Sequence, residues 1–142
     1  MSIPLEDVII ARAREILATK RAWTSSAEAR TARGDRCLPY DSGAVRFCGY
    51  GALTRAAFEL TGDLPTSRVL ANASEKALLS VAGVSSRGRP QRLSHINDRS
   101  GYKAVLKLLS APRTANKWLL PQVEASGVIE YCRGGWRGRL GE

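Results

Sequence analysis

Apolar residues recur at three- and four-residue steps through the first hundred positions of the chain. Leu5, Val8, Ile9, Ala13, Ile16 and Leu17 share one stripe, and Pro4 suits a first helical turn, where its missing amide hydrogen is not needed. The spacing predicts a helix over residues 4–19. Residues 24–43 hold Gly34, Pro39, Asp41 and Gly43 with no sustained period, so they read as a long loop. Helical spacing resumes near Val45 and continues through Phe47, Cys48, Ala52, Leu53, Ala56, Ala57 and Leu60 until Gly62 stops it. The small residues of this second helix imply close contact with a neighbour.

Pro65, Thr66 and Ser67 signal the start of a third helix, whose apolar positions Val69, Leu70, Ala73, Ala77, Leu78 and Val81 lead to Gly83. Residues 84–92 are short, basic and without period. Asp98 or Ser100 is the expected cap of a fourth helix carrying Tyr102, Val105, Leu106 and Leu109, which must end before Pro112. Residues 115–125 read as a short helix around Pro121. After it, the β-formers of 128–132, the Gly134-Gly135 turn and residues 136–140 predict a hairpin. The fold class expected is mainly α, a compact bundle of four to five helices with a small C-terminal β-hairpin. It forms a single domain, 1–110 as helical core and 111–142 as basic extension.

Composition fits one core and narrows the environment. With 142 residues, 44% of them hydrophobic, the chain can bury about two thirds of its unfolded surface. No run approaches the about 18 apolar residues of a membrane span, and acids stand near the start where a secretory leader needs bases. The expectation is a cytoplasmic protein without membrane contact. Cys37, Cys48 and Cys132 are odd in number and far apart, which suits reduced thiols better than disulfides. No cofactor or complete catalytic signature is present.

Charge is what points to a partner. Residues 1–84 carry 11 Lys and Arg against 9 acids, while residues 85–142 carry 11 against 4, so most of the net charge of +9 lies at one end. Folding does not require that asymmetry, and a polyanion explains it. Arg87-Gly88-Arg89-Pro90 is similar to the core of the AT-hook, in which glycine lets the backbone sit deep in the minor groove between two extended arginines. Arg92 would add a phosphate contact. In Arg133-Gly134-Gly135-Trp136-Arg137-Gly138-Arg139, arginines flank one ring that can stack on a base. The alternative for both segments is a solvated loop or a turn packed on the core. Residues 114–140 also resemble the last third of a winged helix domain.

One constellation carries possible chemistry. Cys48 near a helix start, His95, and Asn97-Asp98 supply a nucleophile, a base and an orienter in type and order. The competing reading is a packed thiol and a capping Asn-Asp pair. Zinc on Cys37, Cys48, Cys132 and His95 is arithmetically available, but no two ligands stand close in sequence, so no metal site is assigned.

Trp23 after an amphipathic helix, Ala29-Arg30, Cys48-x-x-Gly51-Ala52-Leu53 and Asn97-Asp98 before a helix together resemble a family of small, functionally uncharacterised bacterial proteins over residues 5–110. The resemblance implies no activity. In that family the position two before Asn-Asp is not regularly histidine, so His95 departs from the pattern. The leading expectation is a non-catalytic, nucleic-acid-associated or regulatory binding protein using Arg87, Arg89, Arg92, Arg133, Trp136, Arg137 and Arg139, with DNA the expected nucleic acid. The alternatives are a cysteine-dependent hydrolase or transferase and a module or inhibitor for an acidic protein. Pairing of the hairpin with a second copy would give a homodimer.

Overall fold

The computed structural model describes residues 3–82, 85–86, 89–90 and 92–111. Among them the order is α1 (Leu5–Ile16), a 3-10 turn (Lys20–Ala22), β1 (Ala29–Thr31), β2 (Arg36–Cys37), β3 (Ala44–Phe47), α2 (Gly49–Thr61), α3 (Leu64–Ala82), β4 (Ser85–Ser86), β5 (Arg89–Pro90), α4 (Leu93–Ser100) and α5 (Tyr102–Leu109). The fold is mainly α, with five helices among the described residues and a small three-stranded antiparallel sheet. The expected C-terminal hairpin lies outside the described residues.

The hydrophobic stripes of α1 and α2 do what their spacing predicts, whereas the buried face of α3 runs through Ser67, Ala71, Ser74, Glu75, Leu78 and Leu79 and leaves Val69 of the expected stripe 64% exposed. Ile9, Ile10, Ala13 and Leu17 meet Leu53, Ala56 and Ala57 of α2 and Ala71 and Leu78 of α3 in one buried core, closed by Leu93, Val105 and Leu109. The alanines of α2 admit α1 and α3 at short range, as small side chains on a helix face allow. Gly62 ends α2 in the left-handed region, φ 68°, with its amide on the Phe58 carbonyl at 2.8 Å. Asp63 then caps α3, its carboxylate accepting from the Thr66 amide at 2.9 Å.

Three expectations are corrected. Residues 24–43 are not a featureless loop: β1 is central in a sheet of order β2-β1-β3, with Ala29 opposite Cys37 and Phe47, and Arg30 opposite Arg36 and Arg46. Strands of two to four residues are too short to show alternation, and each is a strand only by virtue of its partner. The second helix begins at Gly49, not near Val45, because Ala44–Phe47 pairs with β1. The expected fourth helix is two helices. Asp98 and Ser100 lie inside α4, and Gly101 at φ 88° separates it from α5, a conformation that β-carbon-bearing residues resist. The basic segment after α3 contains the β4–β5 pair.

Candidate functional site

One side chain ties α4 to the segment before β1 and to the start of α2. Asn97 on α4 is fully buried and uses its whole amide: Oδ1 accepts from Trp23 Nε1 at 2.7 Å and from the Gly49 amide at 2.9 Å, while Nδ2 donates to the Thr24 carbonyl at 3.0 Å and to Asp98 Oδ1 at 3.1 Å. α4 is thereby fastened to the segment before β1 and to the start of α2. Asp98 Oδ1 also accepts from the amide of Ser26, which sits at φ 61°. That backbone position is costly for serine, on the order of 1 kcal/mol, and the carboxylate helps to hold it.

The start of α2 closes against the same segment. The Glu28 carbonyl accepts from the Cys48 amide at 3.0 Å, and a β-carbon on Gly51 would stand 1.9 Å from that carbonyl oxygen. Only glycine allows this approach. Cys48 is the N-cap of α2, its sulfur accepting from the Gly51 amide at 3.2 Å. Thus Trp23, Cys48, Gly51, Asn97 and Asp98, scattered in sequence, form one junction.

Above this junction lies a cleft of about 530 Å³ lined in part by Glu28, Cys48, Tyr50, Arg68, Arg92 and Asp98. Arg68 on α3 makes a two-nitrogen pair with Glu28, at 2.8 and 3.1 Å, and lies over the rings of Tyr40 and Tyr50 at 5.6 Å from each. The hydrogen bond to Glu28 is the main cause raising its already high pKa. Arg92 pairs with Glu75 at 3.2 Å, and Glu75, 5% exposed, also takes the Leu93 amide at 2.6 Å. Glu75 therefore caps α4 from α3, and its hydrogen bond is the main cause raising the Arg92 pKa.

The Cys48 thiol is not set up as a nucleophile. Burial pushes its pKa up to about 11, outweighing the lowering by the Gly51 and Tyr50 amides, so the neutral thiol prevails at physiological pH. His95 is exposed on α4, away from the buried face formed by Leu93 and Asn97, and is not among the cleft's walls. Asn97 and Asp98 approach Cys48 through the backbone junction, and His95 does not join them. Asn97 is spent on structure: it lies inside α4 and does not cap that helix, and its Oδ1 takes the first amide of α2 instead. Among the described residues no group of three or more His, Cys, Asp and Glu is placed to hold a metal.

Of the seven expected nucleic-acid contacts, Arg92 is described in full. Its side chain is 57% exposed and shares its charge with Glu75. Arg89 is described only as backbone in β5, and Arg87, Arg133, Trp136, Arg137 and Arg139 lie outside the described residues. Sequence reasoning missed Glu75, Arg68 and Glu28, because a charged residue on a helix face or in a polar segment gives no sign of its partner. Among the described residues no helix is long and apolar enough to cross a membrane.

The described residues thus form a mainly helical fold in which a buried asparagine pins α4 to the segment before β1 and to the start of α2. The chain belongs to the DUF6197 family, a family of unknown function, which matches residues 4–114. No curated protein and no solved structure matches it significantly.

Proposed function

We infer that this protein is a non-catalytic, nucleic-acid-associated binding protein acting in a reducing, cytoplasmic setting. The observation that carries the reading is the charge balance: 11 bases against 4 acids over residues 85–142, beside 11 against 9 before them. Arginine, the main base here, presents a planar fork that matches phosphate geometry. The raised pKa of Cys48 and its use as a helix cap support a non-catalytic role. Arg92 is half-committed to Glu75, so Arg87, Arg89, Arg133, Arg137 and Arg139 carry most of the phosphate contact in this reading, with Trp136 stacking and DNA as the polyanion. Pairing of the C-terminal hairpin with a second copy gives a homodimer in this reading.

The test is binding of the full chain to labelled DNA over a range of salt concentrations. Affinity is expected to fall steeply with salt, because each phosphate neutralised releases counterion. Unchanged affinity after Arg87, Arg89, Arg92, Arg133, Arg137 and Arg139 all become alanine overturns the reading.

A further inference from the structure

The register of the sheet places three arginines side by side. Arg30 on the central strand has Arg36 directly opposite on one flank and Arg46 directly opposite on the other. Directly paired residues share a face, and neighbouring strands lie about 4.8 Å apart, so the row spans about 10 Å. The inner face carries Ala29 and Phe47 against the core, which leaves the arginine row on the outer face. Arg36 and Arg46 are exposed. Beyond Arg46 a groove of about 280 Å³ continues the row to Arg21 on the 3-10 turn, with Thr19, Ala22, Ala32 and Val45 as its other walls.

These arginines differ from four others in the fold, although Arg14, Arg33 and Arg99 are likewise without an ion pair among the described residues. Arg12, Arg55, Arg68 and Arg92 each pair with a glutamate, whereas Arg21, Arg36 and Arg46 make no ion pair among the described residues. Arg30 is held by neutral oxygens, donating to Thr24 Oγ1 at 2.9 Å, the Gly34 carbonyl at 2.9 Å and the Ser25 carbonyl at 3.3 Å. It keeps its full charge at the centre of the row. Like charges directly opposite across strands destabilise a sheet, so the row works against the fold and calls for a counter-charge from elsewhere.

We propose that this outer sheet face is a second phosphate-binding surface, that Arg36, Arg46 and Arg21 contact the sugar–phosphate backbone of a double-stranded nucleic acid there, and that Arg30 holds the row in place. The proposal rests on the nucleic-acid reading above and adds a surface to it. A duplex fits because the face is a fixed array of forked cations, and a duplex offers a dense, regular array of phosphates. A single strand fits poorly: its binding draws on aromatic stacking, and neither the row nor the groove walls include an aromatic residue. Backbone contacts of this kind read no bases, so the surface is indifferent to sequence.

The experiment measures affinity of the full chain for a short duplex, for one of its strands and for polyglutamate against salt, for wild type and for Arg36→Ser/Arg46→Ser. The double variant is expected to melt at the wild-type temperature or above and to lower the duplex slope of log affinity against log salt by about 1.8, two phosphates at about 0.9 each. Its single-strand slope should stay at the wild-type value. A double variant with an unchanged duplex slope overturns this proposal while leaving the wider reading in place. A wild type that binds neither form overturns both. Loss of polyglutamate binding by the double variant, equal to its loss of duplex binding, also overturns the nucleic-acid assignment and makes the face a site for acidic protein.

Discussion

Arginines occupy the cleft and the outer sheet face alike, under opposite electrostatic conditions. In the cleft Arg68 and Arg92 are matched by Glu28 and Glu75, which join the segment before β1 and the start of α4 to α3. On the sheet, Arg30, Arg36 and Arg46 stand in line, and the two outer members have no carboxylate partner among the described residues. A matched guanidinium is a structural tie whose charge is already spent. An unmatched row costs stability and keeps its charge for a partner. Counting arginines along the chain would treat the two regions as equal, and only the pairing separates them.

The sharpest way to break the comparison is to remove what holds both regions together. Asn97→Ala would leave the Gly49 amide, the Trp23 ring N–H and the Thr24 carbonyl without their partner, and each such buried group costs about 1–3 kcal/mol. A loss of about 4 kcal/mol is expected in urea unfolding, and a loss below about 1 kcal/mol would show that the junction is not cooperative. Next in size is Glu75→Ala, which removes the cap of α4 and the partner of Arg92. A loss of about 2–3 kcal/mol is expected, below the full cost of a buried pair because Arg92 can turn to water. Arg92→Ala is expected to cost about as much, since it keeps the cap but leaves the buried Glu75 carboxylate without its counter-charge.

Cys48 gives a pH-dependent test of its burial. Its folded pKa of about 11 lies above the ordinary value of 9.0, so the folded state prefers the neutral thiol. That preference stabilises fully below pH 9 and is lost as pH rises through about 11. Melting temperature should therefore fall across this window, with a total on the order of 2 kcal/mol, and Cys48→Ala should remove the Cys48 part of the fall. Alkylation at neutral pH should label Cys48 only on unfolding, and rapid labelling of the native chain would revive a reactive thiol. The smallest effect belongs to the sheet. Arg36→Ser alone should change stability by no more than a few tenths of a kcal/mol, in the stabilising direction, because it relieves like-charge crowding. Clear destabilisation in chemical unfolding would mean that the row is structural, as the cleft arginines are.

The helical layer was legible because its signals are local. The stripe from Leu5 to Leu17 and the stop at Gly62 can be read within a few turns, since a helix satisfies its own backbone and needs only one apolar face. The sheet was not legible, because Arg36–Cys37 is a strand only by virtue of Ala29–Thr31, and two residues hold no period. The candidate site was legible in part. Cys48, Asn97 and Asp98 stood out and do converge, yet their role as junction rather than catalyst depends on burial around the thiol and on the outward setting of His95. Glu75 and Arg68 were invisible, because the meaning of a charged residue lies in its partner.

By itself, then, the amino-acid order determined that the chain is mainly helical, which face of α1 and α2 is dry, and how unevenly charge is distributed along the chain. The tertiary structure decided which strands align, which guanidiniums are neutralised and which are left in a row, and whether a thiol faces water. Coiling and amphipathicity arise between residues three or four apart, whereas the strand pairs of the three-stranded sheet and the counter-charges of the cleft join residues from 6 to 40 positions apart, and only the folded chain brings those together.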